Sequence, residues 1–303
     1  MIKLMRTMPL LLLLAAVGCN GAIGQTENVS SGQAFNAESS VEPPIIYESS
    51  SHDDYASAVV NADERFGELV KVEGANYQIE FRKYYVKDDY KDNEVSIVYP
   101  KIISQDDIYL TDEKINKYLK DAAFGEFTVH DEKIGGLGLL VECEIKYSSE
   151  NLLSVEFTGS SYIDGASYVL FFARTLNIDL RYPVDRLRLR DFFVFDDDFV
   201  DIFKSNAIFD REKHPIAEEA FNYLVLDDVR GEYSDERIMR ELFLADGEIW
   251  SAQSYFGKDR LGLSLHVGHN FGGYLLLELE YDDLLDHIRT DNDIWRELLP
   301  SLD

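Results

Sequence analysis

Alternating hydrophobic and polar positions predict most of the strands in this chain. Tyr77, Ile79 and Phe81 alternate with polar residues, and this period of two is typical of a strand that buries one face. The same alternation over 141–147 and 153–157 predicts two more strands, with Cys143 and Tyr147 on the inward side. Further strands are predicted over residues 94–99, 166–180, 187–189, 248–256, 260–266 and 274–281.

A period near 3.6 predicts the helices. The segment that starts with the capping residue Thr111 places Ile115, Tyr118 and Leu119 on one face. Further helices are predicted over residues 195–209, 215–230 and 234–244, and from Asp282 onwards. Because strands and helices are clustered and do not alternate strictly, the pattern favours an α+β fold with antiparallel sheets and packed helices.

The apolar segment near the start of the chain is too short to cross a bilayer. It covers eleven residues, 8–18, whereas a membrane-spanning helix needs about 20. Lys3 and Arg6 precede it, as in a secretory signal. The segment ends in Ala16-Val17-Gly18-Cys19, which resembles the bacterial lipoprotein box. We therefore expect residues 1–18 to be a signal peptide and Cys19 to be acylated; the alternative is an ordinary signal with an incidental cysteine.

The residues after Cys19 predict a tether. Residues 19–54 are rich in Ser, Asn, Gly, Glu and Gln and hold few aromatic side chains, so they cannot bury enough apolar surface to fold. Acyl chains on Cys19 would anchor the protein to a lipid bilayer in the bacterial cell envelope. Asn20 after the cysteine is compatible with sorting to the outer membrane in a Gram-negative host, and the periplasm is among the expected locations.

The chain is strongly acidic, with 57 Asp and Glu against 29 Lys and Arg and a net charge of −28. Such a surface repels phosphate, so we expect no nucleic-acid partner. It would speed encounter with a cationic protein, although solubility alone is a sufficient reason for it. Once Cys19 is acylated, Cys143 has no disulfide partner in the chain, and its inward position indicates a small core residue and not a nucleophile.

Four segments carry a family resemblance: residues 95–119, 152–180, 187–193 and 263–288. They resemble consecutive segments of a bacterial envelope domain family. It includes the outer domain of a lysozyme-sensing anti-sigma factor and the noncatalytic N-terminal domain of a peptidoglycan deacetylase. The resemblance implies an N-terminal α+β subdomain over 55–186, a C-terminal α/β subdomain over 187–303, and a cationic muramidase as partner.

The chain departs from this family at one turn. Members commonly carry Gly-Gly-Ala-His where this sequence has Asp164-Gly165-Ala166-Ser167. A role that depends on that histidine is in doubt here. Gly165 is kept, however, and it can supply a positive φ angle.

Two glycine-containing turns, over 160–167 and 268–274, are flanked by tyrosines that are suited to an amphipathic recognition surface. Ordinary packing of these aromatic residues is the alternative. The candidate ligand-binding residues are Tyr162, Asp164, Ser167, His269, Asn270 and Tyr274.

No motif predicts a metal, a cofactor or a catalytic centre. His266 and His269 are only two local ligands, and a zinc site needs three or four; a structural turn is the simpler interpretation. The acidic run 196–198 lacks the glycine and glutamate of a calcium loop and favours helix capping. No nucleophile elbow, HExxH or phosphate-binding loop is present.

These patterns predict a lipid-anchored envelope protein that acts as a non-catalytic binding module. Its expected partner is a cationic protein such as lysozyme, or a fragment of the cell wall. The alternative from another class is a carboxylate-dependent enzyme that acts on cell-wall glycan. Such an enzyme needs two carboxyl groups about 5 to 10 Å apart, which sequence spacing alone does not establish.

Overall fold

The computed structural model describes residues 62–88, 93–104, 109–125, 127, 137–211, 214–226, 233–247, 251–291 and 293–299. The predicted signal peptide, Cys19 and the tether lie outside the described residues. Residues 54–303 group into one compact unit. Within the part of the chain that is described, no helix has the length and apolar character needed to cross a membrane.

Eight strands form one large sheet in the first half of the described chain. They are β1 (Ala62–Arg65), β2 (Val70–Lys71), β3 (Tyr77–Asp88), β4 (Asn93–Ser104), β5 (Leu137–Ser148), β6 (Leu152–Ile163), β7 (Leu170–Asp179) and β8 (Asp185–Leu187). The order across the sheet is β1-β3-β4-β5-β6-β7-β8, with β2 beside β3. All neighbours are antiparallel except β4 and β5. This parallel pair needs a crossover, and helix α1 (Tyr109–Phe124) lies between the two strands in sequence.

The second half combines a small antiparallel sheet with short helices. Its elements are α2 (Asp197–Ser205), α3 (Ala217–Phe221), a π-helical turn (Asn222–Leu226), α4 (Asp235–Leu244), β9 (Gln253–Phe256), β10 (Arg260–His266) and β11 (Tyr274–Glu280). 3-10 helices cover Leu189–Asp191, His269–Phe271, Tyr281–His287 and Asp293–Glu297. The small sheet has the order β11-β10-β9. Antiparallel sheets with packed helices confirm the predicted α+β class.

Buried apolar side chains form two clusters. One lies between the large sheet and α1 and includes Ile97, Val141, Phe157 and Leu119. The other lies under α2, α4 and the small sheet and includes Phe199, Phe203, Leu242, Phe256 and Leu263. Both clusters belong to the same compact unit, so the subdomain boundary near residue 187 stays a prediction.

Buried polar groups join the two sheets. Ser154 Oγ on β6 accepts a hydrogen bond from the backbone N–H of Phe256 at 2.9 Å. The same hydroxyl donates to Asn177 Oδ1 at 2.7 Å, and Asn177 Nδ2 donates to the carbonyl oxygen of Ser254 at 2.8 Å. A buried polar group that loses its hydrogen bond has a large desolvation penalty. The two sheets are therefore favoured in the relative position that makes all of these bonds. These contacts fix the small sheet against β6 and β7.

Tyr147 is the clearest correction to the predicted strands. A β-bulge between Ile145 and Tyr147 shifts the register against β6. One extra residue turns the following side chains to the opposite face, so the prediction that Tyr147 points with Val141 is wrong. Its hydroxyl instead donates to the carbonyl oxygen of Glu297 at 2.5 Å, and its ring packs against the second cluster.

The cap of α2 agrees with the prediction, whereas α2 (Asp197–Ser205) and α3 (Ala217–Phe221) are shorter than the predicted helices 195–209 and 215–230. Asp196 caps α2 by accepting from the N–H of Phe199 at 3.0 Å, which confirms the capping interpretation of the acidic run. Helix α1 begins at Tyr109, two residues before the predicted cap at Thr111. The final predicted helix is a 3-10 helix (Tyr281–His287), and it ends where Ile288 becomes extended and forms a bridge with Phe193.

Candidate functional site

The β6–β7 hairpin ends in an exposed apolar tip. Strand β6 ends at Ile163 and β7 begins at Leu170. Gly165 has φ 85°, which confirms the left-handed turn expected there. The large exposed side chains at this tip, between 37% and 59% accessible, are Tyr162, Ile163, Tyr168, Val169, Leu170 and Phe171. Contiguous exposed apolar side chains are typical of interaction sites.

The second predicted turn, between β10 and β11, lies against this hairpin. The N–H of Val267 donates to the carbonyl oxygen of Gly273 at 3.0 Å and closes the turn. Gly272 and Gly273 both have positive φ, 90° and 85°. A Cβ atom on Gly273 would lie 2.3 Å from the carbonyl oxygen of Phe171. Glycine at this position therefore permits the close approach of the two backbones.

The rings of Tyr168 and His269 stack across the two turns. Their centroids are 4.3 Å apart and their planes differ by 13°. The two glycine-containing turns, which are far apart in sequence, thus meet at one place. We call the exposed side chains Tyr162, Ile163, Tyr168, Val169, Leu170, Phe171 and His269 the two-turn surface.

The candidate residues from the first turn are all exposed. Tyr162 belongs to the two-turn surface, and Ser167 lies in the turn just before Tyr168. Asp164 accepts a hydrogen bond from Asn93 Nδ2 at 3.2 Å. This contact ties the turn to the start of β4, which is two positions from β6 in the order of the sheet.

The candidate residues from the second turn occupy different positions. His269 and Asn270 are exposed on the 3-10 helix that forms the turn. Tyr274 is half-buried, and its ring lies edge-on to His214 with centroids 5.3 Å apart. Burial, followed by the charge of Glu156, raises the pKa of Tyr274 to about 12, so its phenol is neutral at pH 7. Tyr274 supports the turn more than it presents a surface.

Exposed apolar side chains continue beyond the second turn. The ring of Tyr223 lies 5.5 Å from that of Phe271, centroid to centroid. Ile216 approaches Gly272, with its Cδ1 atom 3.8 Å from where a Cβ would be. Tyr223 and Ile216 are both exposed, so the apolar area extends from the two-turn surface towards α3.

A separate cleft of about 540 Å³ is lined by several carboxylates, including Glu278 and Glu280, and is the place to look for the enzyme alternative. Tyr255 donates its hydroxyl to Glu278 Oε1 at 2.6 Å. Arg260 lies 3.3 Å from Glu278 and 3.4 Å from Glu280. Lys146 also lines the cleft, with its ammonium 4.1 Å from the centre of the Tyr255 ring. Both glutamates are engaged by cationic or hydroxyl groups, which suits a structural charge network.

The two histidines do not form a metal site with other ligands in the described part of the chain. Among those residues there is no group of three or more His, Cys, Asp or Glu side chains placed to hold an ion. His269 stacks on Tyr168. Partial burial lowers the pKa of His266, and the charge of Glu241 acts in the opposite direction.

Comparison with known proteins gives similarity at the level of structure. No family model and no curated protein matches the sequence. A DUF3298 family protein from Bacteroides fragilis has a TM-score of 0.43 and 16% identity, over 80% of this chain and 98% of that one. A DUF3298 family protein from Pseudomonas aeruginosa has a TM-score of 0.38 and 10% identity, over 70% and 94%. This chain is similar in structure to bacterial DUF3298 proteins. At these values the similarity assigns no function.

Sequence reasoning located both turns and missed the apolar tip. A strand over 166–180 would bury most of its apolar residues, whereas β7 begins only at Leu170 and its first two residues are exposed. The available signal was the run from Tyr168 to Phe172, in which five consecutive residues are apolar. Such a run does not alternate, so one buried face cannot accommodate it.

Proposed function

We propose that this chain is a lipid-anchored, non-catalytic binding module of the bacterial envelope, and that it captures a cationic protein at the two-turn surface. The observation that carries the proposal is the convergence of the two turns, which presents seven exposed side chains, six of them large and apolar, at one place. The anchor would be the acylated Cys19, and residues 19–54 would give the module its reach.

Two physical effects would act together in capture. The net charge of −28 raises the rate of encounter with a basic protein, and this effect weakens as salt screens it. The apolar side chains then supply affinity when they lose contact with water, about 25 cal/mol for each Å² buried. Aromatic anchors such as Tyr168 and Phe171 are typical of the centre of an interface.

A cationic muramidase is the partner class that the family resemblance suggests. The histidine that family members carry in the first turn is replaced by Ser167. His269 from the second turn lies at the same surface, stacked on the neighbouring Tyr168. We propose that this imidazole contributes to the recognition surface in place of the missing one.

Binding of the purified mature protein to lysozyme, measured over a series of salt concentrations, tests the proposal. We expect affinity that falls as salt rises and that depends on Phe171. Replacing it by serine (Phe171→Ser) removes about 1 to 2 kcal/mol of apolar burial, a loss of roughly 5- to 30-fold in affinity. Phe66→Ser is the matched control, because Phe66 is 50% exposed and Phe171 51%, but Phe66 lies outside the two-turn surface.

Several outcomes would count against this function. Absence of salt-sensitive binding to lysozyme and to other cationic proteins would remove its support. An equal effect of Phe66→Ser and Phe171→Ser would move the binding site elsewhere. Digestion of peptidoglycan by the purified protein would favour the carboxylate-dependent enzyme, and loss of that digestion in Glu278→Gln would place it in the cleft.

A further inference from the structure

A second groove, of about 600 Å³, lies between helix α4 and the segment that leads into α2. Glu236, Met239, Arg240 and Phe243 line one side, with the i, i+3, i+4, i+7 spacing of a single helical face. Ile238 and Leu242, which lie outside this face, are buried, so the orientation of α4 is fixed by the core. The volume lies within the range of about 300 to 1,000 Å³ that small-molecule sites occupy.

The opposite wall of the groove is held by backbone hydrogen bonds. The N–H of Val194 donates to the carbonyl oxygen of His287 at 2.8 Å, and the N–H of Arg289 donates to that of Phe192 at 2.7 Å. Phe193 and Ile288 form a β-bridge between these two contacts. The groove is therefore preformed, and binding would need little ordering of the backbone.

The charge of the groove is opposite to that of the chain. Arg190, Arg240 and Arg289 line it together with a single acidic residue, Glu236. Arg289 is paired with Asp291 at 2.9 Å. Arg190 lies over the Phe243 ring, 5.3 Å from its centre. Within the described ranges neither Arg190 nor Arg240 has an ion-pair partner.

We propose that this groove binds a monocarboxylate with an unbranched alkyl chain. A guanidinium matches the planar geometry of a carboxylate and can hold it through two parallel hydrogen bonds. Arg190 and Arg240 would hold the carboxylate, and the alkyl chain would lie on Phe243 and Met239, which provide an apolar floor. Glu236 would repel a second negative charge, so the site suits a ligand with one charge.

Titration calorimetry of the mature protein with decanoate at pH 7.5 tests this inference. Decanoate is fully ionised at that pH, and decyltrimethylammonium is the matched ligand with the opposite charge. We expect decanoate to bind and the cation not to bind in the groove. Arg240→Gln and Arg190→Gln should each weaken decanoate about tenfold, as expected for loss of a charged hydrogen bond.

Two variants separate a local site from general effects. Arg237→Gln removes the same charge from α4 outside the groove and should leave decanoate affinity unchanged. Phe243→Ser removes an exposed ring from the floor and should weaken decanoate without unfolding the protein. Equal binding of both ligands, or equal weakening by Arg237→Gln and Arg240→Gln, would overturn the proposal. Binding to phosphatidylglycerol vesicles but not to decanoate would also overturn it.

Discussion

Asp246 places a carboxyl group at the junction of the two sheets, and we predict that it makes the stability of the protein fall as pH rises. Its Oδ1 atom accepts from the N–H of Ser254 at 2.7 Å and from Thr175 Oγ1 at 3.2 Å. Its Oδ2 atom accepts from Ser254 Oγ at 2.6 Å and from the N–H of Leu189 at 3.0 Å. The residue is partly accessible, but these donors enclose the carboxyl group itself.

Burial raises the pKa of Asp246 from its ordinary value of 3.8 to about 6, although the four hydrogen bonds act in the opposite direction. Because the folded-state pKa lies above the unfolded one, the folded protein binds more protons between these values. The contribution of Asp246 to stability is therefore fully present below pH 4 and is lost as pH rises through 6. A shift of this size corresponds to about 3 kcal/mol, which is an upper value because the residue keeps some contact with water.

Urea unfolding of the wild type and of Asp246→Asn, at pH 4.5 and pH 7.5, measures this contribution. Asparagine tolerates the positive φ of 62° at this position, so the variant removes the titrating group without new backbone strain. Part of the contribution is already lost at pH 4.5, so we expect the wild type to lose up to about 2 kcal/mol more than the variant between the two pH values. Asp283→Asn controls for removal of one exposed charge. Parallel pH profiles for the wild type and Asp246→Asn would refute the reasoning.

Three further predictions concern single side chains. Gly273→Ala should destabilise the fold by about 2 kcal/mol or more beyond Gly165→Ala in thermal unfolding. Both glycines have φ 85°, but only at Gly273 would a Cβ meet the carbonyl oxygen of Phe171. An equal loss of stability in the two variants would contradict this contact. Burial raises the pKa of Cys143 to about 12. In Cys19→Ser protein, the thiol of Cys143 should therefore react with a disulfide reagent about 100-fold more slowly in the folded state than in urea. Cys19→Ser should also move the protein from the detergent phase to the aqueous phase in detergent partitioning, and retention in the detergent phase would exclude acylation as the anchor.

The sequence predicts local structure well where one periodicity runs without interruption. Strand β10 has the predicted bounds, 260–266, because its apolar residues alternate from end to end. The prediction fails for Tyr147, because a single bulged residue reverses the faces of a strand and leaves no mark in the composition. The last predicted helix begins near Asp282 as expected, but it is a 3-10 helix that ends where Ile288 pairs with Phe193, a residue distant in sequence.

The sequence predicts the separate parts of the candidate site but not how they come together. Glycines with flanking tyrosines indicate turns, and both turns are present. Whether Tyr168 meets His269 depends on how the small sheet docks on β6 and β7, which Asn177 and Ser154 fix through buried hydrogen bonds. The groove between α4 and the segment that leads into α2 combines side chains from three separate segments, so no local sequence pattern predicts it.

The start of β7 at the hairpin tip is exposed, whereas its later part is buried. Strand β7 carries apolar residues along its whole length, and Leu176 and Ile178 are buried while Leu170 and Phe171 are exposed. A partner that covers the tip would complete the packing that the rest of the strand already has. Amide hydrogen exchange across 168–171 should therefore slow when lysozyme binds, because solvent-exposed strand ends open readily when nothing covers them. Unchanged exchange at saturating lysozyme would show that capture, if it occurs, uses another face.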